Sequence, residues 1–172
     1  EYHQVFKNSN FYIDAGFTEG FKKTSSTKKT GEKSHFFSKF TKKFNLDKEA
    51  SSTLDISVQS VSDDSYLKLF KIDSSLADYN KDSLESSIDY SYESNNLFFG
   101  LNSTVYETLK SEYNDKYEYI FPEITLDKNL FSNEKFGSLD LLSNLKIHNY
   151  DTNKLSKFLV NDLFWNFRNF NF

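Results

Sequence analysis

The chain has no cysteine and no methionine, one proline, Pro122, and five glycines among its 172 residues. Without cysteine there can be no disulfide and no thiolate metal site, although this says little about compartment. No run of about eighteen apolar residues occurs, which excludes a transmembrane helix on length. A transmembrane strand is not excluded, because it shows only about ten alternating residues. The net charge of −4 is small and gives no support for nucleic-acid binding. HExxH, GxSxG and phosphate-cradling glycine loops are missing as well. The histidines His3, His35 and His148 fall in separate segments without ligand spacing and read as ordinary polar-face residues. Asp63 and Asp64, in a Ser-rich stretch, read as turn formers. No catalytic residue, metal or cofactor is expected, and the chain is not read as an enzyme.

What is abundant is Phe and Tyr. Aromatics make up 18% of the chain, which argues for an ordered protein despite a mean hydropathy of −0.65. They recur in a two-residue alternation. Phe11, Ile13, Ala15, Phe17 and Phe21 are separated by Tyr12, Asp14, Gly16, Thr18 and Gly20. In a strand, successive side chains point to opposite faces, so this pattern makes one apolar and one polar face. On a helix the same residues would scatter around the cylinder.

The pattern predicts about eight strands. They are Phe11–Phe21, His35–Leu46, Leu54–Val61, Leu84–Glu93, Leu97–Leu109, Tyr117–Asp127, Leu139–Ile147 and Phe158–Phe167, the last apolar on both faces. In the sixth, Ile120, Ile124 and Leu126 are set against Tyr119, Phe121, Glu123 and Thr125. Pro122 lacks a backbone donor and implies a bulge or an unpaired position there. Asn102-Ser103-Thr104 matches a glycosylation sequon but lies inside a predicted strand, so it is discounted. The runs are long: soluble strands average about five or six residues, whereas a bilayer crossing needs about nine to eleven.

Connections alternate in length over the first half. Residues 22–34 and 62–83 read as long loops, and 47–52 and 94–96 as short links, an asymmetry typical of outer-membrane barrels. Lys22, Lys23, Lys28 and Lys29 cluster in the first long loop and are candidates for contact with lipid phosphates. A solvated loop partly compensated by Glu32 is the preferred reading of the same residues. Lys42 lies in phase with apolar neighbours and is expected to snorkel near an interface. Phe170 and Phe172 suggest an aromatic terminal strand signal, but in so aromatic a region chance is the better account.

Two architectures fit. In a transmembrane barrel, Phe11, Ile13, Phe17, Ile88, Tyr90, Phe99, Leu101, Ile120 and Ile124 would face lipid. In a soluble, secreted or surface-bound β-sandwich that binds a partner, the same face would pack on a second sheet. Strand length, and aromatics near run ends such as Tyr92, Tyr106, Tyr117 and Tyr119, favour the barrel.

The segment Val61-Ser62-Asp63-Asp64-Ser65-Tyr66-Leu67 resembles a characteristic piece of the LPS-assembly outer-membrane protein family, LptD. The series that follows is similar in order. It comprises the Ser94-Asn95-Asn96 hairpin, the strand Tyr117-Glu118-Tyr119-Ile120-Phe121-Pro122-Glu123, Leu139 to Tyr150, Asn149-Tyr150-Asp151-Thr152 and Phe158-Leu159-Val160-Asn161-Asp162-Leu163. The likeness covers nearly the whole chain. It implies an all-β, antiparallel up-and-down sheet, a segment of a transmembrane barrel in the cell outer membrane of a Gram-negative envelope. It further implies insertion of lipopolysaccharide into the outer leaflet, with an LptE-type lipoprotein plug and a periplasmic Lpt bridge as partners. Family members are longer, with a periplasmic jellyroll and further barrel strands, so residues 1–172 are expected to be part of the barrel domain.

Overall fold

The computed structural model describes residues 1–24, 27–47, 49–110, 115–151 and 153–167, with backbone alone for 20–24, 27–31 and 47. Nine strands form one antiparallel sheet whose spatial order follows the chain. They are β1 (Tyr2–Phe6), β2 (Ser9–Thr24), β3 (Thr27–Asp47), β4 (Ala50–Val61), β5 (Ser83–Ser94), β6 (Leu97–Thr108), β7 (Tyr117–Asn133), β8 (Gly137–Tyr150) and β9 (Lys154–Asn166). The all-β, up-and-down expectation holds, with one strand more than the pattern suggested. Every strand lies in this one sheet, so the second layer of a sandwich has no counterpart among the described residues.

The added strand is β1. Its five residues carry Tyr2, Gln4 and Phe6 on one side and His3 and Val5 on the other, too short and too mixed to read as alternation. A second departure is the reading of 22–34 as a loop. Here β2 and β3 continue to pair with each other, Lys22 opposite Lys29 and Lys23 opposite Lys28, past the points where β1 and β4 leave the ladder at Ile13 and His35. Threonine-rich backbone can extend a ladder without an apolar face, because backbone pairing needs no periodic side chains. The result is a two-stranded ribbon that overhangs the sheet.

The two ends of the sheet differ. Tight turns at Lys7–Asn8, Asn95–Asn96 and 134–136 lie at one end. The ribbon, the 62–82 connection and the β6–β7 connection lie at the other, together with the short β8–β9 link.

The 62–82 connection holds a one-turn helix, α1 (Tyr66–Phe70), and folds as a strap over the polar side of the sheet. Phe37, Val61, Tyr66, Leu67, Ala77, Leu84 and Leu109 form the buried cluster beneath it, at the fork where β4 and β5 stop pairing after Ser57 and Ser87. Fully burying a side chain such as Phe37, Leu67 or Leu84 stabilises by roughly 1.5–3 kcal/mol. Ion pairs tie the strap down, Lys33 to Asp63 at 2.7 Å, Lys116 to Asp64 at 3.1 Å and Lys110 to Asp82 at 3.0 Å, and Lys68 of α1 closes on Asp82 within the strap at 2.9 Å. Gln59 adds a hydrogen bond from its amide to the Leu76 carbonyl, 2.9 Å.

Candidate functional site: the two faces of the sheet

Directly opposed residues of an antiparallel ladder share a face, so the registers assign every strand position. One face collects Phe11, Ile13 and Phe17 of β2, Phe36, Phe40 and Phe44 of β3, Leu54, Ile56 and Val58 of β4, and Ile88, Tyr90 and Tyr92 of β5. It continues through Leu97, Phe99, Leu101 and Val105 of β6, Ile124 and Leu126 of β7, and Leu139, Leu141 and Leu145 of β8. Among the described residues no second sheet packs on it. Phe17 is 63% exposed and Ile88 49%, values far from those of a core. From Leu97 to Val105 the apolar run extends about 26 Å along β6, at about 3.3 Å per residue.

Eight of the nine residues read as apolar-face positions share this face. Ile120 is the exception. In β7 it stands opposite Thr104 and His148, both on the polar face, while Glu123 stands opposite Asn102 and Lys146. Three residues of β7 therefore span two of β6, and this bulge, at Phe121 and Pro122, inverts the phase between Ile120 and Ile124. Pro122 marks the bulge as its missing donor predicts, and simple alternation carried through it misplaces Ile120.

The other face is polar. One row crosses seven strands as Asn10, Thr41, Asp55, Asp89, Asn102, Glu123 and Lys146. Asp55 and Asp89 are directly opposed, and like charges so placed repel. Each carboxylate is offset by a donor: the Thr41 hydroxyl for Asp55, and the Asn102 amide together with the Ser87 hydroxyl, 2.9 Å, for Asp89. Lys146 reaches Glu123 at 3.1 Å. A cavity of about 280 Å³ lies over this row. Such a surface exchanges hydrogen bonds with hydroxylated or charged ligands, while the opposite face suits hydrocarbon.

The histidines do lie on the polar face. His3 stacks on Tyr12 with centroids 3.8 Å apart, and His148 Nε2 lies 2.5 Å from a Glu118 oxygen. His35 is buried beneath the strap, its Nδ1 3.2 Å from the Tyr66 hydroxyl and its Nε2 3.4 Å from Asp14. Burial first, then the Asp14 charge, raise the Tyr66 phenol above its usual pKa. Asp63 behaves as a turn former: it accepts from the Ser65 backbone N–H at 2.9 Å and from Lys33. Lys33 and Ser65 hold its carboxyl down at about 2. Among the described residues no group of three or more His, Asp or Glu is arranged to hold a metal.

Lys42 sits in the apolar face opposite Ser9 and Leu54, its ammonium 5.0 Å from the Phe44 ring centroid, as a snorkelling residue would. Lys22, Lys23, Lys28 and Lys29 are brought together by the ribbon, known here by their backbone register alone. Asn102-Ser103-Thr104 is inside β6. Phe170 and Phe172 lie outside the described residues. The strap cluster has a single sign in the sequence, Phe37, an aromatic on the polar side next to Phe36.

The model of a protein family described as LPS transport system D, LptD, matches residues 33–158, from the end of the ribbon through the start of β9. No curated protein and no solved structure matches the chain.

Proposed function

The chain belongs to the LptD family of the LPS transport system, and from that premise we propose that residues 1–172 form part of the wall of an outer-membrane barrel that inserts lipopolysaccharide into the outer leaflet. The single observation that carries this reading is the pairing of an uncovered apolar face, carried on strands long enough for the roughly nine to eleven tilted residues of a bilayer crossing, with a continuous polar face behind it. In hydrocarbon every backbone polar group must be paired, which a sheet closed by further strands achieves.

In this reading Phe11, Ile13, Phe17, Ile88, Tyr90, Phe99, Leu101 and Ile124 touch lipid. The polar face lines a path for sugar and phosphate groups, while acyl chains remain in hydrocarbon. Tight turns would lie in the periplasm, and the strap and ribbon outside. Lys22, Lys23, Lys28 and Lys29 would then stand near anionic headgroups of the outer leaflet. An LptE-type lipoprotein and the periplasmic Lpt bridge are the expected partners.

The test is fractionation combined with depletion in the native host. The protein should sediment with outer membranes, need detergent for extraction, and on depletion leave less lipopolysaccharide at the cell surface. Recovery as a monodisperse, detergent-free species would refute the reading.

A further inference from the structure

Besides Lys42, a second lysine stands in the apolar face near the tight turns: Lys128 of β7, opposite Leu97 and Leu141. Among the described residues neither ammonium has a carboxylate partner, whereas Lys33 and Lys146 of the polar face are matched with Asp63 and Glu123. The two lysines lie four strands apart and in different rows, yet one rule connects them. Across β4, the row of Lys42 passes through Leu54 to Tyr90 of β5, and two residues nearer the tight turns is Tyr92. Across β6, the row of Tyr92 passes through Phe99 to Leu126 of β7, and two residues nearer the turns is Lys128. Across β8, the row of Lys128 passes through Leu141 to Leu163 of β9, and two residues nearer the turns is Trp165.

Two residues along for every two strands across is about 6.6 Å against about 9.6 Å, a line inclined by about 35° to the rows. Strands of outer-membrane barrels tilt by about 35–45°, so in a sheet tilted that way the line runs level with the membrane plane. The tight turns climb in the same sense, from Ser9 in the Lys42 row to Gly137, beyond the Lys128 row. Lys42, Tyr92, Lys128 and Trp165 then share one depth. Shifted two residues toward the strap, the same line meets Phe40, Tyr90, Leu126 and Leu163, so the apolar surface begins directly behind the lysines. Tyr and Trp with polar tips, and Lys with an apolar stem, are the side chains of a membrane–water boundary. The Trp165 indole N–H donates to the Phe136 carbonyl in the β7–β8 turn at 2.9 Å, and Phe131 meets the indole edge-on with centroids 6.4 Å apart, which anchors the ring at the turn end.

We propose that these four residues form a headgroup line on the outside of the wall, at which Lys42 and Lys128 hold the phosphates of anionic glycerophospholipids while Tyr92 and Trp165 set the depth. A lipid phosphate supplies the negative charge that both ammoniums lack. The lysines stand about 23 Å apart along the line, so each meets its own lipid. The proposal rests on the membrane reading above, which puts the turns in the periplasm. The leaflet concerned is therefore the periplasmic one, and the occupant is a phospholipid, not lipopolysaccharide.

The experiment uses the full chain reconstituted into vesicles of phosphatidylethanolamine and phosphatidylglycerol in equal parts. Trp165 is the chain's one tryptophan, so its emission reports its own depth. Quenching should be strong from lipids brominated near the headgroup and weak from lipids brominated near the chain end. Native mass spectrometry of the protein released from these vesicles should show phosphatidylglycerol retained over phosphatidylethanolamine. Lys42→Gln with Lys128→Gln should lower that preference about fivefold, and Lys42→Arg with Lys128→Arg should keep it. Quenching strongest from the deepest bromines, undiminished preference in the glutamine variant, or loss of the preference to added inorganic phosphate would overturn the headgroup line and leave the membrane reading standing. Emission unquenched by bromine at any depth would overturn the membrane reading, and the line with it.

Discussion

His35 lies directly across the ladder from Gly16, so close that a methyl group on Gly16 would stand 2.5 Å from the imidazole Cε1. The glycine is therefore what leaves room for a buried ring beside the β2 backbone, with one nitrogen 3.2 Å from the Tyr66 hydroxyl and the other 3.4 Å from Asp14. The strap is held to the sheet through that ring. Gly16→Ala should push His35 off this site, loosen the Phe37–Tyr66–Leu67 cluster, and destabilise the strap by about 1–3 kcal/mol. Limited proteolysis between residues 62 and 82 reads this out, with faster cleavage expected. Tyr66→Phe, which removes only the hydroxyl, should have a smaller effect.

A pH response follows from Asp63. Its carboxyl is held at about 2, below the ordinary value of 3.8, by Lys33 and Ser65. A carboxylate whose pKa is depressed on folding contributes stability that is present above the unfolded value and lost as pH falls through the folded one. Strap protection against proteolysis with an acid-active protease should thus decline from about pH 4 toward pH 2. Asp63 is 40% exposed, so screening limits the effect to a fraction of ~1 kcal/mol. Asp63→Asn should flatten that decline, and an unchanged profile in this variant would exclude Asp63 as its source.

The overhanging ribbon sets Lys22 opposite Lys29 and Lys23 opposite Lys28. Directly opposed like charges destabilise a ladder, and opposite charges stabilise it by roughly 0.2–1 kcal/mol per pair. Lys28→Glu with Lys29→Glu should therefore protect the ribbon amides better against hydrogen exchange in low salt. The same change should weaken attachment to vesicles containing anionic lipid. A solvated ribbon without a membrane role would show the first effect and not the second, so the two readouts separate the readings of this cluster.

How far the sequence was legible depended on whether a side chain reported on its own face. Strands β2 to β9 were visible because Phe, Leu and Ile repeat every second residue wherever one face meets an apolar medium and the other a polar one. β1 was invisible because His3 and Val5 share a face, and the ribbon because backbone pairing leaves no trace in side-chain polarity. The strap could not be anticipated either. Its cluster joins Phe37 to Tyr66, Leu67 and Ala77 through tertiary contacts, and no local period encodes these.

The sharpest distinction lies in two isoleucines of one strand. Simple alternation puts Ile120 and Ile124 on the same face, four residues apart. The register separates them, because the bulge at Phe121 and Pro122 adds a residue to β7 between Glu123 and Ile120. If the apolar face meets lipid, an arginine at Ile124 must put its charge into hydrocarbon, a cost of about 2–4 kcal/mol near the bilayer midplane. An arginine at Ile120, between Thr104 and His148, would enter a polar surface with Glu118 on the same face, and should cost little. Ile124→Arg is therefore expected to impair folding into lipid vesicles and to lower outer-membrane levels, whereas Ile120→Arg should accumulate nearly as the parent does. Equal damage from both would place Ile120 in lipid after all and remove the bulge from the membrane-spanning register. Equal tolerance of both would mean that this face does not meet hydrocarbon at all.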